Sequence, residues 1–427
     1  MTAATFTALF AVALAAMVGT RLWLARRQIA HVAAHRDRVP PAFAARIGLP
    51  AHHKAADYTT AKQSLGRIET IVDALLLLIL TLGGGFAALV EWTGALPVAP
   101  LWQDALLIGA LGVIGGAVGL PFAWYSTFVI EERFGFNRMT LGLWLADLVK
   151  GLAVGIAFGL PLLLLVLWLM REAGDRWWLL AWAAWMGFQL LALVLYPTVI
   201  APLFNRFEPL PAGEARARIE ALLARCGFAS SGLFVMDGSK RSGHGNAYFT
   251  GFGRAKRVVF FDTLLARLSG DELEAVLAHE LGHFKLKHVA KRIAWSAALS
   301  LAILGALAWL MGKPWFYAGL GIPDALAAAA IARPGVALGL FFLALPVFTF
   351  VLAPLGSLYS RRHEFEADAF AARTASGPAL VQALVKLYED NAATLTPDPM
   401  HSAFYDSHPP AAVRVARLQA CLAAPTS

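Results

Sequence analysis

The chain has 427 residues, of which 58% are hydrophobic and only 15% are charged, too little charge to cover a soluble protein of this size. This composition excludes a disordered chain, a coiled coil and a conventional cytosolic enzyme, and it predicts a membrane protein with several spans. Two cysteines, Cys226 and Cys421, are too few for a disulfide framework or a thiolate zinc site. The net charge of +8 does not indicate nucleic-acid binding, because the basic residues cluster beside apolar runs, where they orient membrane spans.

Seven apolar segments are long enough to cross a membrane as helices, which takes about 20 residues each. The first is followed by basic residues and lacks a clear small-residue cleavage site, so we interpret it as a span rather than a removed signal peptide. The predicted spans are Phe6 to Leu24, Ile71 to Val90, Ala105 to Phe128, Val149 to Met170, Trp177 to Ile200, Ile293 to Met311 and Val336 to Leu355.

The basic residues of the short loops predict how the chain is oriented. Lys and Arg are frequent between the first two spans, whereas residues 91–104 include neither. Because such residues favour the cytoplasmic side, we expect the N-terminus outside and the polar regions after spans five and seven on the cytoplasmic side. Four basic residues fall on the other side and do not fit the rule: Arg171, Arg176, Lys313 and Arg333.

Two polar regions, after span five and after span seven, are large enough to fold. Each is too short to bury much surface alone, so we expect them to pack together as one domain. The predicted organisation is therefore spans one to five with the basic loop (1–204), the first part of this domain (205–292), spans six and seven (293–356) and the second part (357–427).

The first polar region predicts two helices and three short strands. Gly213 to Arg225 is amphipathic with helical spacing. Ser269 followed by Asp271 and Glu272 is typical of the start of a second helix. The predicted strands are Leu233 to Met236, Ala247 to Phe252 and Arg257 to Phe261.

The second helix of this region has the pattern of a zinc site. His279 and His283 in LEAVLAHELGHFKLKH are four residues apart, so they lie on one helix face and can bind one zinc ion. Glu280 beside them can act as the general base of a metalloprotease. The alternative is a surface helix with two solvated histidines, which the apolar flanks disfavour. His288, nine residues from His279, falls on the opposite face and is expected to be a polar residue near the membrane surface.

A catalytic zinc site takes three protein ligands, and SRRHEFEADAFA after span seven offers the third. Glu364 and Asp368 are four residues apart, which suits a ligand and a carboxylate that orients a ligand histidine. His363 is a weaker ligand candidate, and Glu366 is expected to point elsewhere. By itself the segment better suits a solvated helix start. Two spans separate it from His279, however, which returns Glu364 to the same side of the membrane and favours the metal site.

These residues resemble the CaaX prenyl endopeptidase type 1 family of integral-membrane zinc metalloproteases, over nearly the whole chain. Besides the two metal motifs, the resemblance rests on IEERFGFN, IAPLFNRFEPLP, SKRSGHGNAYFTGF and SHPP followed by Arg414. It implies a mostly α-helical membrane protein whose seven transmembrane helices form a chamber. A gluzincin-like zinc protease domain would be built from the loop after span five and the C-terminal tail.

The resemblance also implies roles for single residues. One Zn²⁺ per chain would be bound by His279, His283 and Glu364, with Glu280 as the catalytic base and Asp368 behind the ligands.

Further roles are implied around the metal. Asn246, Ala247 and Tyr248 would lie on an edge strand that pairs with the peptide, because main-chain hydrogen bonds can hold an extended peptide there. His408 would stabilise the tetrahedral intermediate and Arg414 would support the site. Val413 replaces the family's usual Glu, which is expected to weaken charge pairing around Arg414.

The predicted function is a zinc-dependent membrane endopeptidase that cleaves near the C-terminus of lipidated (CaaX-type) or amphipathic peptides. The attacking group would be a zinc-bound water activated by Glu280, and membrane lipid would surround the protein. One alternative is a membrane-protein quality-control protease without prenyl specificity, and another is a non-catalytic seven-span zinc-binding protein. A protease class completed by an Asp-Gly motif is disfavoured, because Asp237 and Gly238 lie upstream in a polar region. Asp147 and Lys150, near one end of span four, are expected to pair with each other.

Overall fold

The structure is a computed structural model that describes residues 1–228, 232–250 and 257–423, and these residues are mostly helical. Among them, six helices are long and apolar enough to cross a membrane, or seven if one bent pair counts as a span. The predicted multi-span helical membrane protein is therefore confirmed. The first seven α-helices are α1 Ala3–Ala34, α2 Leu49–Leu80, α3 Gly85–Gly94, α4 Pro100–Tyr125, α5 Leu141–Glu172, α6 Trp177–Leu195 and α7 Ala201–Phe204.

The second predicted span, Ile71 to Val90, is not one helix: α2 and α3 meet at an angle of 53°. Between them Gly84 has a φ of 78°. A Cβ on Gly83 would lie 2.8 Å from the carbonyl oxygen of Ile79. The three consecutive glycines therefore permit a turn that residues with side chains would resist, and the apolar run continues through a break in the helix.

The membrane helices pack most tightly at the end away from the polar regions. There the short helices between spans six and seven cover a buried cluster that includes Phe10, Phe86, Phe316 and Tyr317. In five of the six membrane-length helices only 6% to 17% of the most apolar window is buried, whereas the share is 44% in the helix that runs from Pro334 to Thr374. Span seven is therefore the most enclosed of these helices.

Asp104 explains two of the basic residues that do not fit the orientation rule. Its fully buried carboxylate accepts hydrogen bonds from Arg171 at 2.5 Å and Arg333 at 2.9 Å. These residues join the start of α4, the end of α5 and the segment before span seven. Both arginines are thus engaged by a buried carboxylate and are not free loop charges.

The first polar region forms a small mixed sheet and two longer helices. The strand order is β1-β2-β4-β3, with β2 and β4 parallel and the other two pairs antiparallel, so β3 lies at an edge. The predicted helix and strands are present, but β1 was not predicted, and residues 251 and 252 of one predicted strand lie outside the described residues. The elements are β1 Phe207–Pro209, α8 Glu214–Arg225, β2 Gly232–Met236, β3 Ala247–Thr250, β4 Arg257–Phe261, α9 Asp262–Leu265 and α10 Gly270–Lys285.

The two polar regions share one apolar core. Leu222, Phe260 and Leu277 from the first region pack in the same buried cluster as Leu380 and Leu418 from the second. The remaining helices are α11 His288–Met311, α12 Pro314–Gly319, α13 Asp324–Ile331, α14 Pro334–Thr349, α15 Ala353–Thr374, α16 Gly377–Asp390, α17 Pro399–Tyr405 and α18 Ala411–Ala423.

Asp147 and Lys150 do not pair with each other, contrary to the expectation from their spacing. Asp147 accepts two hydrogen bonds from the guanidinium of Arg241, at 2.8 and 3.0 Å. Lys150 donates to the carbonyl oxygen of Leu203 at 2.9 Å. Arg241 lies between β2 and β3 of the first polar region. This bidentate pair therefore fastens that region to span four.

Candidate metal centre

Helix α10 presents both histidines of the motif to the interior of the polar domain. It begins with a capping box, in which Ser269 and Glu272 satisfy each other's backbone N–H groups. Burial raises the pKa of Glu272, but hydrogen bonds from Lys386 and Ser269 outweigh it, so the pKa lies below its usual value. The helix is therefore held at its N-terminus by a buried, charged carboxylate.

A glycine lets α10 and α15 cross closely enough to combine the two motifs. A Cβ on Gly282 would lie only 3.0 Å from the Cα of Ala367 and 3.2 Å from its carbonyl oxygen. The crossing lies beside the motif residues of both helices. It brings Glu364 to the histidines, from a helix that directly continues span seven.

Three donor atoms converge at this crossing. The Nε2 atoms of His279 and His283 are 3.2 Å apart, the Oε2 of Glu364 lies 3.4 Å from the first, and its Oε1 lies 3.2 Å from the second. Zinc–ligand distances of about 2.0–2.1 Å at tetrahedral angles place ligand atoms about 3.3 Å apart. Glu364 is buried, and its Oε2 has no hydrogen-bond partner. The donor set and its spacing fit a tetrahedral zinc ion.

The ring of His279 is held by two buried charged residues. Its Nδ1 lies 2.8 Å from Asp368, whose two oxygens each accept a hydrogen bond of 2.7 Å from Arg414. Burial lowers the pKa of Arg414, but the attraction of Asp368 outweighs it and raises the pKa above its usual value. Val413, the neighbour of Arg414 on α18, is 50% exposed, whereas Arg414 itself is buried.

The expectation that His288 lies on the helix face opposite His279 is wrong. His288 is completely buried, with its Nδ1 3.0 Å from the Nδ1 of His283 and its Nε2 3.0 Å from Glu366. Glu366 points away from the three converging donors, as expected, but it contacts this buried histidine. The extrapolation from His279 failed because α10 ends before Lys287, which has a φ of 58° and turns the chain.

His363, the weaker ligand candidate, contributes no atom to the three converging donors. Its ring stacks on that of His288, with centroids 4.0 Å apart and planes 8° apart. No signal in the sequence predicted this stack, since the turn before α11 is marked by neither Gly nor Pro.

A cavity of about 140 Å³ opens next to the converging donors. It is lined by Glu280 and Glu364, by Asn246 and Ala247 at the start of the edge strand β3, and by His408. The Nε2 of His408 lies 3.6 Å from Glu364. The structure thus assembles the predicted metal, base and peptide-strand residues around one space.

Tyr248 is the exception among the predicted substrate residues. Side chains alternate along a strand, and the ring of Tyr248 packs against Phe261, 6.3 Å between centroids, instead of lining the cavity. Burial, with a smaller effect of Tyr196, raises the pKa of its phenol to about 12. Its main chain, however, belongs to β3 and pairs with Val259 of β4.

A polar network that the sequence analysis missed holds the segment before β3. The imidazole of His244 lies 3.1 Å from Asn391 and 3.5 Å from Glu131, and Glu131 also accepts a 2.5 Å hydrogen bond from Tyr58. The carboxylate of Glu131 thus connects α2 to the segment that leads into the cavity.

The chain is similar to known proteins over most of its length. A family model described as CAAX prenyl protease N-terminal, five membrane helices, matches residues 28–206, and the model of peptidase family M48 matches residues 209–422. CAAX prenyl protease 1 of Saccharomyces cerevisiae is 33% identical over 89% of this chain and 88% of its own. The Homo sapiens homologue of that protease is 32% identical over 77% of this chain and 76% of its own. The crystal structure of S. mikatae Ste24p superposes with a TM-score of 0.89 at 31% identity, covering 97% of this chain and 99% of that one.

Proposed function

The chain belongs to the CAAX prenyl proteases of peptidase family M48 and is a zinc metalloendopeptidase of the membrane, and we propose that His279, His283 and Glu364 hold its zinc. The observation that carries this assignment is that the Nε2 atoms of His279 and His283 lie 3.2 Å apart and each lies 3.2 to 3.4 Å from an oxygen of the Glu364 carboxylate. One zinc ion per chain would occupy the centre, beside the cavity that His279 and Glu364 line.

We assign the protease domain to residues 205–292 and 357–427, and the membrane part to residues 1–204 and 293–356. The shared apolar core of the two polar regions supports this division. We place the protease domain on the cytoplasmic side. The basic loop after the first span supports that orientation, and the buried pairing of Arg171 and Arg333 removes two apparent exceptions to it.

The mechanism assigns proton transfer to Glu280 and charge stabilisation to His408. Bound zinc would act as a Lewis acid that polarises the scissile carbonyl and acidifies water. Glu280, on the cavity wall, takes the proton of the attacking water and passes it to the leaving amine. His408 donates a hydrogen bond to the oxyanion that develops on the substrate, a type of contact worth about 3 kcal/mol in the transition state.

The substrate is an extended peptide that adds to the edge strand β3. Ala247 begins this strand at the cavity, so the main chain of β3 can hydrogen-bond a peptide whose scissile bond lies next to Glu280. An apolar groove of about 690 Å³ runs from Phe249 of β3 to Leu190 and Ile293 on two spans. This groove suits the lipid or apolar part of a prenylated or amphipathic membrane peptide.

The test is hydrolysis of one peptide, with and without a farnesyl group, by the detergent-purified chain and by its Glu280→Gln variant. Zinc content is measured in both. We expect zinc in both and cleavage by the parent alone, because the amide cannot take the water proton. Faster cleavage of the farnesylated peptide would support the lipid assignment, and equal rates would favour a protease without prenyl specificity.

The matched control is Glu389→Gln, an exposed carboxylate on α16, which should leave turnover unchanged. Turnover by Glu280→Gln at the parent's rate would contradict the mechanism. Zinc in the parent without cleavage of either peptide would favour a non-catalytic zinc protein.

A further inference from the structure

We propose that His288 and Glu366 are positioning residues that fix the ring of His283 for metal binding. This inference rests on the proposed zinc site. The two residues touch neither the metal position nor the cavity. Among the described residues they form the only chain of hydrogen bonds that reaches the Nδ1 of His283, on the side of the ring away from the metal position.

The two nitrogens of His283 face different surroundings. Its Nε2 points at the converging donors, 3.2 Å from both His279 and Glu364. Its Nδ1 points away from them and lies 3.0 Å from the Nδ1 of His288. A neutral imidazole that binds zinc through Nε2 carries its hydrogen on Nδ1, and this N–H needs an acceptor in a buried site.

The protons of the chain can be assigned without a conflict. His288 accepts the hydrogen bond of His283 at its own Nδ1, so its hydrogen is on Nε2. That Nε2–H donates to the carboxylate of Glu366 at 3.0 Å, and an ionised carboxylate offers acceptors only. Each donor therefore has one acceptor, and the carboxylate at the end fixes the tautomers of both rings.

Neighbouring side chains hold His288 and Glu366, which form this hydrogen-bond relay to His283, in place. His288 is fully buried, and His363 stacks on its face. Glu366 accepts a hydrogen bond of 3.0 Å from Arg362, and the ammonium of Lys291 lies 3.9 Å away. The relay is thus pre-arranged, like the Asp368 contact that orients the other histidine of the motif.

A second metal ion at His288, His363 and Glu366 is the competing interpretation, since donor atoms of the three lie within 4.8 Å of one another. Ring geometry opposes it. The lone pairs of imidazole nitrogens lie in the ring plane, and two rings that are 8° from parallel cannot both direct theirs at an ion between them. Both nitrogens of His288 are also already in hydrogen bonds.

The experiment compares zinc affinity in His288→Leu and His288→Asn, measured on detergent-purified full chain by competition with a chromophoric chelator. The two replacements have similar size, but only Asn places an acceptor oxygen where Nδ1 of His288 lies. We expect Leu to weaken zinc binding by about 10- to 100-fold, as removal of such supporting partners does, and Asn to restore most of the loss. His363→Phe, which keeps the ring stack, is the packing control and should retain the parent's affinity.

Equal losses in the Leu and Asn variants would assign the effect to packing and would overturn the relay, as would parent affinity in His288→Leu. Should His288→Leu fail to fold, Glu366→Leu tests the same chain from its partly exposed end and should weaken zinc binding in the same direction. Unchanged affinity there would also overturn the relay. A parent protein that binds no zinc would refute the proposed metal site itself.

Discussion

Three acidic residues of α15, each two positions after the one before, serve different parts of the proposed centre. Glu364 faces the metal position, Asp368 contacts His279, and Glu366 reaches His283 through a second histidine. Each ring of the motif thus has its own carboxylate behind it. A substitution among these three residues should therefore affect zinc affinity before it affects the fold.

At the same scale, Glu272 makes the stability of the domain depend on pH. Its pKa in the folded chain lies below the usual value, so the stabilisation is fully present above the unfolded pKa, about 4.3, and is lost as the pH falls through the folded value. We expect Glu272→Gln to lower the free energy of unfolding by about 1.5–3 kcal/mol at neutral pH. Thermal unfolding between neutral and acidic pH should show the variant's deficit shrinking toward low pH.

The control for this prediction is Glu220→Gln on α8, whose carboxylate is 55% exposed in an i,i+4 pair with Arg216. Such a pair contributes only about 0.3–0.5 kcal/mol. A deficit of Glu272→Gln that persisted unchanged at acidic pH would contradict the role assigned to its charge.

At the scale of the elements, the crossing of α10 and α15 decides whether the two motifs meet. Gly282 sits at the closest approach, where the backbone of Ala367 leaves no room for a methyl group. The motif HELGH therefore needs its glycine for packing, quite apart from the chemistry of its neighbours. This requirement is visible only once the partner helix is in place.

The substitution Gly282→Ala should separate the helices by a few tenths of an ångström and misplace Glu364 relative to the histidines. Because small displacements of reacting groups are costly, we expect kcat to fall about tenfold while the protein still folds. Peptide hydrolysis and zinc content measure the two effects. Gly66→Ala on α2, where a Cβ would meet nothing within 4 Å, is the control, and equal activity of the two variants would refute the argument.

At the scale of the whole molecule, long-range ion pairs fasten the protease domain to the membrane helices. Arg241 of the sheet region donates two hydrogen bonds to Asp147 of span four, and Arg27 near the C-terminal end of α1 donates to Asp398 at 2.8 Å. Asp398 also caps α17, the helix that leads to the segment with His408. The position of the C-terminal tail over the cavity thus depends on the first span.

On the opposite side of the membrane, Asp104 should stabilise the helix arrangement without affecting the metal centre. Asp104→Asn leaves Arg171 and Arg333 without their buried counter-charge, and loss of one partner of a buried pair costs about 3–5 kcal/mol. We expect a clearly lower thermal midpoint in detergent with unchanged zinc affinity. Glu91→Gln, exposed in the neighbouring segment, is the control, and a midpoint equal to that of the control would contradict this role.

Features that depend on local periodicity and composition were predictable from the sequence. The apolar runs of about 20 residues predicted the membrane helices, because a helix must satisfy its own backbone in lipid. The four-residue spacing of His279 and His283 placed both rings on one helix face, and Ser269 marked the helix start. These properties follow from chemistry within one or two helical turns, so no knowledge of the fold was needed.

Only the tertiary structure decided which distant residues pair and where helices stop. His288 does not lie on the predicted helix face because the chain turns at Lys287. Asp147 pairs with Arg241 rather than with Lys150. Sequence spacing predicts neighbours along one continuous helix, whereas buried charges take whichever partner packing brings within reach. The relay behind His283 depends on both effects, a break in one helix and a carboxylate 78 positions away, and so it emerges only from the folded chain.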